Sequence, residues 1–329
     1  MTNNNRSRKG SLQFYPRVRA KKVIPSINWK PHSKETTNLL GFVGYKTGMV
    51  SVYVKDKTPD SMTKGKKIVI PATIIECPSL KIYSVRFYKG NQVKKDIVVT
   101  NDKDLKKKVK MPKVAKYLSS DEEFDDVRVI AYTDVKATGI GKKKPDMIEI
   151  GLSGSNEDKM NFIKEKIGKP ISIAEVFESG LVDVHAVTKG HGTQGPMKRF
   201  GIALKNQKSE KGRRRPGSLS SFGLRRVTFR APQAGQTGYH TRVIFNNQIL
   251  QVGKISEKNI NPKSGFHKYG NIKTDYIIIK GSIPGAKKRG IVMTTSQRPT
   301  RTQVKGSYEV IELRWKQKYL TKMEKRKEQ

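Results

Sequence analysis

The sequence predicts a mainly β fold with an α+β insertion. Three observations carry that prediction. Short β-branched runs recur at residues 40–45, 49–54, 68–76, 181–187, 243–245, 249–252 and 276–280, and strands spread over such long intervals suggest a β-barrel interrupted by insertions. Two helix-start patterns fall together in the one acidic region, residues 121–183, which holds 14 of the 28 acids against nine bases. Residues 184–256, by contrast, hold a single acid, Glu210, against 14 Lys and Arg, and glycine recurs through them.

Residues 1–38 read as an extended basic arm. They carry Arg6, Arg8, Lys9, Arg17, Arg19, Lys21, Lys22, Lys30 and Lys34 against Glu35, and Pro16, Pro25 and Pro31 break any period. A solvated tail is the alternative. Leu12, Phe14, Tyr15, Val23, Ile24 and Trp29 are more sticky residues than such a tail carries. Residues 39–79 and 181–313 are read as the discontinuous barrel core. Within it, 40–45 and 49–54 flank Lys46-Thr47-Gly48, a hairpin signal with glycine where a positive φ is expected. Residues 68–76 supply the next strand.

Residues 80–180 read as an inserted acidic α/β domain. Ser155-x-x-Asp158 opens a helix with Met160, Ile163 and Ile167 on one face and Gly168 as its stop, and Ser172-x-x-Glu175 opens a second, closed by Gly180. Strands at 127–132 and 147–150 give these helices a sheet to cover, so the insert is expected to pack on its own core. Residues 189–242 form a basic central finger inserted in the barrel. Between 190 and 225 large apolar residues are too sparse to build a core, so this stretch is expected to be ordered by a partner filling the space around it. A basic tail, 314–329, is left open between a short helix and a frayed end.

Charge narrows the function. The 329 residues hold 68 Lys and Arg against 28 Asp and Glu, a formal net charge of +40, and apolar residues make up 35%. Domains of moderate size usually carry a net charge of roughly 2–8, so this chain repels itself and calls for a polyanion. No apolar run approaches the ~20 residues a spanning helix needs, and the polar, basic first 35 residues do not read as a signal peptide. Cys77 is the single cysteine and cannot form an internal disulfide, which fits a reducing compartment. The expected class is a cytoplasmic nucleic-acid binder, with no membrane association and no homo-oligomer.

Enzyme chemistry finds little footing. Gly190-His191-Gly192-Thr193-Gln194-Gly195 satisfies the G-x-G-x-x-G spacing after a predicted strand. An RNA-modifying or nucleotide-dependent enzyme using this loop is therefore the alternative. A dinucleotide fingerprint opens a helix and is followed about 20 residues on by an acid for the ribose. Here Pro196 and Gly201 follow, no helical period starts, and a basic run occupies 211–215. Glycines allowing close approach to a phosphate backbone are the preferred reading. His32, His185, His191, His240 and His267 show no i, i+4 pairing, so no metal site is expected, nor a catalytic one. No cofactor is expected beyond structural Mg2+ carried by RNA.

RNA binding accounts for the remaining features together. Lys and Arg neutralise phosphates, and Arg adds fork geometry and stacking. Phe200, Phe222, Phe229 and Tyr239 offer stacking platforms for splayed bases, which favours structured RNA over duplex DNA. The expected contacts in the arm are Arg6, Arg8, Lys9, Arg17, Arg19, Lys21 and Lys22. In the finger they are Lys189, His191, Lys198, Arg199, Lys205, Lys211, Arg213, Arg214, Arg215, Phe222, Arg225, Arg226, Arg230, Tyr239, His240 and Arg242. A generic nucleic-acid condensing protein is a third reading.

Five motifs then carry a resemblance. Arg8-Lys9-Gly10-Ser11-Leu12-Gln13-Phe14-Tyr15-Pro16-Arg17-x-Arg19-Ala20-Lys21 resembles the N-terminal arm of archaeal and eukaryotic members of the universal L-three family of ribosomal proteins. Gly41-Phe42-x-Gly44-Tyr45-Lys46-Thr47-Gly48-Met49 is similar to that family's first barrel hairpin. Val187-Thr188-Lys189-Gly190-His191-Gly192 through Gln194-Gly195-Pro196-x-Lys198-Arg199 resembles the start of its central extension. Gln233-Ala234-Gly235-Gln236-Thr237-Gly238-Tyr239-His240-x-Arg242 resembles the return, and Lys280-Gly281-Ser282-x-Pro284-Gly285 a late barrel segment.

The resemblance implies a translation-protein-type β-barrel, an inserted α/β domain and two extensions threaded into large-subunit (23S-type) rRNA. It further implies a structural role without catalysis, support of early subunit assembly, and a finger tip at Ser221, Phe222 and Gly223 near the peptidyl transferase centre. Neighbours of the universal L-fourteen and archaeal L-twenty-four types are implied partners, in the cytoplasmic ribosome. Phe222 and Phe200 stand where the family commonly has Trp, and Glu210 where eukaryotic members have a modifiable His. Arm and barrel resemble archaeal members rather than bacterial ones.

Overall fold

The computed structural model describes residues 7–32, 34, 36–114, 124–219 and 226–314. The chain divides into two compact units, residues 1–23 with 187–242, and residues 24–186 with 243–329. In chain order the strands are β1 (Gly41–Asp56), β2 (Lys67–Cys77), β3 (Leu80–Lys89), β4 (Gln92–Val98), β5 (Asp126–Thr133), β6 (Met147–Gly151) and β7 (Leu181–Val187). They continue with β8 (Thr193–Gln194), β9 (Gly235–Gln236), β10 (Thr241–Gly253), β11 (Asp275–Lys280), β12 (Gly290–Thr295) and β13 (Tyr308–Arg314). The helices are α1 (Asn156–Lys166), α2 (Ile173–Val176), α3 (Pro196–Phe200) and α4 (Arg301–Val304). The mainly β expectation holds.

Seven strands form one sheet in the order β12-β7-β10-β11-β2-β1-β13, and β12 also pairs with β1. The sequence of pairings therefore returns to its start through six strands. β1 makes this geometry feasible by its length: Gly41–Tyr45 pair with β12, Ser51–Asp56 pair with β13, and β2 runs antiparallel along it from Tyr45 to Lys55. The expected hairpin at Lys46-Thr47-Gly48 is absent. Lys46 faces Ile75 and Gly48 faces Ile74, so Thr47 is an extra residue in one continuous strand. Such a bulge bends a strand without reversing it, and Gly48 accordingly does not take a positive φ.

Both faces of β11, inside this sheet, are buried. Ile277 and Ile279 of β11 lie in one apolar cluster with Phe42, Ile75 and Val292, while Tyr276 and Ile278 lie in another with Tyr45, Val52 and Ile74. Alternating side chains that both find a core explain the unbroken apolar run of β11.

The second sheet has the antiparallel order β4-β3-β5-β6. Both predicted capping boxes are present, at Ser155 and Asp158 for α1 and at Ser172 and Glu175 for α2, and Gly168 follows α1 at φ +79°. The insert has a small cluster of its own, around Tyr83, Leu105 and Tyr132, but most of its apolar side chains join a shared core. Ile82, Val129, Met160 and Ile163 belong to the same apolar cluster as Phe42, Ile75 and Val292. β2 and β3 are separated only by residues 78 and 79, which keeps the two sheets adjoining. The acids of the insert are engaged locally. Asp126 pairs with Arg128 and Lys159, and Glu149 with Arg86 and Arg128.

Candidate nucleic-acid interface

The unit made of residues 1–23 and 187–242 concentrates the predicted contacts. Its finger leaves and returns through an antiparallel stem in which β8 pairs with β9. The stem continues through Thr188 N–H to His240 O (2.9 Å), His191 N–H to Thr237 O (2.9 Å) and Thr237 N–H to Gly192 O (2.9 Å). Gly238 sits at φ +70°, and a Cβ there would drive into the carbonyl oxygen of Lys189. Glycine is needed at this position for both reasons.

Past the stem comes α3, a single turn that the sequence reading left out. Gly195 is its N-cap, Pro196 occupies the first turn with φ already suited to a helix, and Gly201 ends it at φ +66° in the left-handed region. One turn is too short for a hydrophobic period to register. Its last residue, Phe200, is 1% exposed. Arm residues bury it: the guanidinium carbons of Arg8 and Arg17 lie 4.7 and 4.5 Å from the ring centroid, and Lys9 N–H donates to Phe200 O at 2.7 Å. Phe200 is therefore a packing anchor and cannot serve as the base platform expected of it.

The arm makes further ties to the stem. Ala20 N–H donates to Tyr239 O (2.8 Å), the His240 ring pairs with Val18 O through Nδ1 (2.9 Å), and Arg19 lies 5.2 Å from the centroid of Tyr239. Arg17 donates to the carbonyl of Arg199 at 3.3 Å, and Arg8 donates to the Tyr15 hydroxyl. Arg242 caps Phe14 at 4.6 Å. The structure thus brings together Arg8, Lys9, Arg17, Arg19, Arg199, Tyr239, His240 and Arg242. Lys21, Lys22, Lys189, His191 and Lys198 stand exposed around them. Farther along the finger, Lys205 N–H donates to Arg213 O (3.1 Å), and Lys211, Arg213, Arg214, Arg215, Arg226 and Arg230 are exposed. Arg6, Arg225 and the tip residues Ser221, Phe222 and Gly223 lie outside the described residues.

Electrostatically this unit is unbalanced. Seven Lys and Arg in residues 1–23 and thirteen in 187–242 face the single carboxylate of Glu210. Among the described residues, none of these cations forms an ion pair with a carboxylate. Burial, followed by the nearby charge of Arg17, pushes the Arg199 and Arg242 guanidinium groups down from their usual range. Such crowding is unfavourable until an anion is added. Site reasoning from the sequence passed over the pairing of Phe14 and Tyr15 with Arg242, Arg8 and Arg17. The signal was present as arm aromatics among arginines.

A second basic cluster, in the other unit, was missed altogether. The Lys46 ammonium donates to the carbonyls of Ile283 and Gly285 (3.3 Å for the latter), and Lys287 donates to His267 O at 2.7 Å. Burial lowers the pKa of both lysines, and the charge of Lys287 lowers that of Lys46 further.

Known proteins resemble this chain over most of its length. The chain matches the family model described as Ribosomal protein L3 over residues 1–111 and 88–321. The large ribosomal subunit protein uL3 of Archaeoglobus fulgidus is 39% identical over 317 residues, covering 92% of this chain and 95% of that protein. The uL3 proteins of Methanococcoides burtonii and Methanocaldococcus jannaschii are 39% and 37% identical over 324 and 319 residues, each covering 92% of this chain and 95% of theirs.

Proposed function

The chain belongs to the ribosomal protein L3 family as an archaeal-type member, and from that premise we propose that its arm and finger bind large-subunit (23S-type) ribosomal RNA directly. It is a structural constituent of the large ribosomal subunit and not an enzyme. One observation supports the RNA reading above the others: twenty Lys and Arg share the arm and finger unit with Glu210 as its one acid. A surface so charged gains affinity by releasing the counterions of a phosphate backbone. We read the closed pairing order of β1, β2, β11, β10, β7 and β12 as the translation-type barrel, with residues 80–180 inserted in it as an α/β domain and 189–242 as the finger.

The finer roles follow the same reading. The finger reaches toward the peptidyl transferase centre, the protein supports early subunit assembly, and proteins of the L-fourteen and L-twenty-four types adjoin it in the cytoplasmic ribosome. Competition binding tests the core of this. Labelled fragments of archaeal large-subunit rRNA are displaced from the purified chain by unlabelled fragments and by arbitrary duplex DNA. The expected result is a preference for the rRNA of about a thousand-fold or more, the range by which specific binding exceeds non-specific. Equal displacement by both supports a generic condensing protein instead. Replacing Arg213, Arg214 and Arg215 by Gln is expected to weaken binding to both polymers, because phosphate contacts carry no sequence information.

A further inference from the structure

We propose that a cleft between the arm and the returning limb of the finger takes one unpaired RNA nucleotide, its base against Phe229 and its phosphate held by Arg17 and Arg230. The inference rests on the RNA-binding reading and adds to it the form of RNA that is bound. The cleft measures about 830 Å³, and its walls include Leu12, Tyr15, Arg17, Arg199, Phe229 and Arg230. That volume lies within the range of small-molecule sites and accommodates a nucleotide.

Three features select this occupant. First, Phe229 is 73% exposed, and its ring stands edge-on to Tyr15 with centroids 5.7 Å apart and planes at 76°. Arg230 also lies 5.3 Å from the ring centroid, but at this exposure much of the ring stays open, and an open aromatic ring in a basic cleft is where a base stacks. Second, the lining has three guanidinium groups and no carboxylate. Arg199 uses two donors on Gln233 O (3.0 Å) and Gln236 O (3.1 Å) and Arg17 uses one on Arg199 O (3.3 Å), which leaves the other N–H groups of Arg17 and those of Arg230 for the phosphate. Third, Leu12 is 47% exposed in the same wall. The carboxylates of an acidic peptide would neutralise the arginines and leave Leu12 and Phe229 wet. A base-paired duplex presents phosphates, but its stacked bases cannot reach the ring.

The test uses the full chain, a short single-stranded oligoribonucleotide, a blunt RNA duplex with the same number of phosphates, and an acidic peptide of matched charge. The single strand is expected to bind more tightly than the duplex. Phe229→Ala, at an exposed position that leaves the fold intact, is expected to weaken single-strand binding about ten-fold while leaving duplex binding unchanged, and Phe229→Trp is expected to restore it. If Phe229→Ala has no effect while Arg17→Gln and Arg230→Gln weaken both RNAs, the cleft reads phosphate alone and the base assignment is overturned with the RNA reading intact. Tighter binding of the peptide than of the single strand overturns it as well. Absence of binding to either RNA sinks the RNA reading itself.

Discussion

The main-chain amide of Lys9 donates to the carbonyl of Phe200, so the N-terminal arm is fastened to the finger by backbone as well as by stacked arginines. Neither segment has the apolar residues to fold alone. Together they bury one phenylalanine under two guanidinium groups. Removing the ring takes away the most buried of the contacts that they share.

Phe200→Ala is therefore expected to release the arm. Truncating a buried Phe costs roughly 3–5 kcal/mol in a full core, and a satellite contact of this size loses less. Trypsin cleavage after Arg17 and Arg19 is expected to accelerate at least about ten-fold, because cleavage follows the population of the opened state. Unchanged cleavage at these two sites would show that Phe200 does not hold the arm.

Gly238→Ala attacks the stem from the other side. The left-handed φ of +70° and the approach to the Lys189 carbonyl together are expected to cost roughly 1–3 kcal/mol. Amide exchange at His191, Thr237 and Tyr239, whose N–H groups close the stem, is expected to quicken. Wild-type exchange rates at all three would contradict the assignment.

Lys46→Met tests a contact between two motifs far apart in the chain. It leaves the carbonyls of Ile283 and Gly285 without their ammonium donor, a loss of about 1.5–3 kcal/mol for hydrogen bonds to a charged group. Chemical denaturation is expected to show a lower midpoint at an unchanged slope. An unaltered midpoint would show that the Lys46 ammonium adds nothing to stability.

Stability is expected to fall in mild acid through His185. Burial, helped by the neighbouring His32 and opposed by Asp183, pushes its pKa down to about 4. His32 is lowered in the same direction. The unfolded chain takes up a proton near pH 6.5 while the folded chain does not until near 4. The stabilisation is thus complete above pH 6.5 and is lost as the pH falls toward 4. Relative to His185→Asn, the wild type is expected to lose about 2 kcal/mol between pH 7 and 4.5. Parallel pH profiles for the two proteins would refute this.

Much of this fold was legible because its signals are local. The β-branched run at Leu181–Val187 and the capping boxes at Ser155 and Ser172 depend on neighbours a few residues away, and each appears where expected. The failures are non-local. Lys46-Thr47-Gly48 has turn chemistry, but β2 pairs on both sides of it and turns Thr47 into a bulge. Phe200 looked like a free platform because the arginines that cover it come from the arm. The basic character of the interface was readable from composition. Its clasp, and the cleft beside Phe229, required the two segments to be seen together.

The salt dependence of rRNA binding tests the central claim most directly. If about ten of the arm and finger cations meet phosphates, a plot of log affinity against log salt is expected to fall with a slope of roughly −7 to −9. A slope near zero would contradict the account, because it would mean that this cationic unit does not hold the chain on RNA.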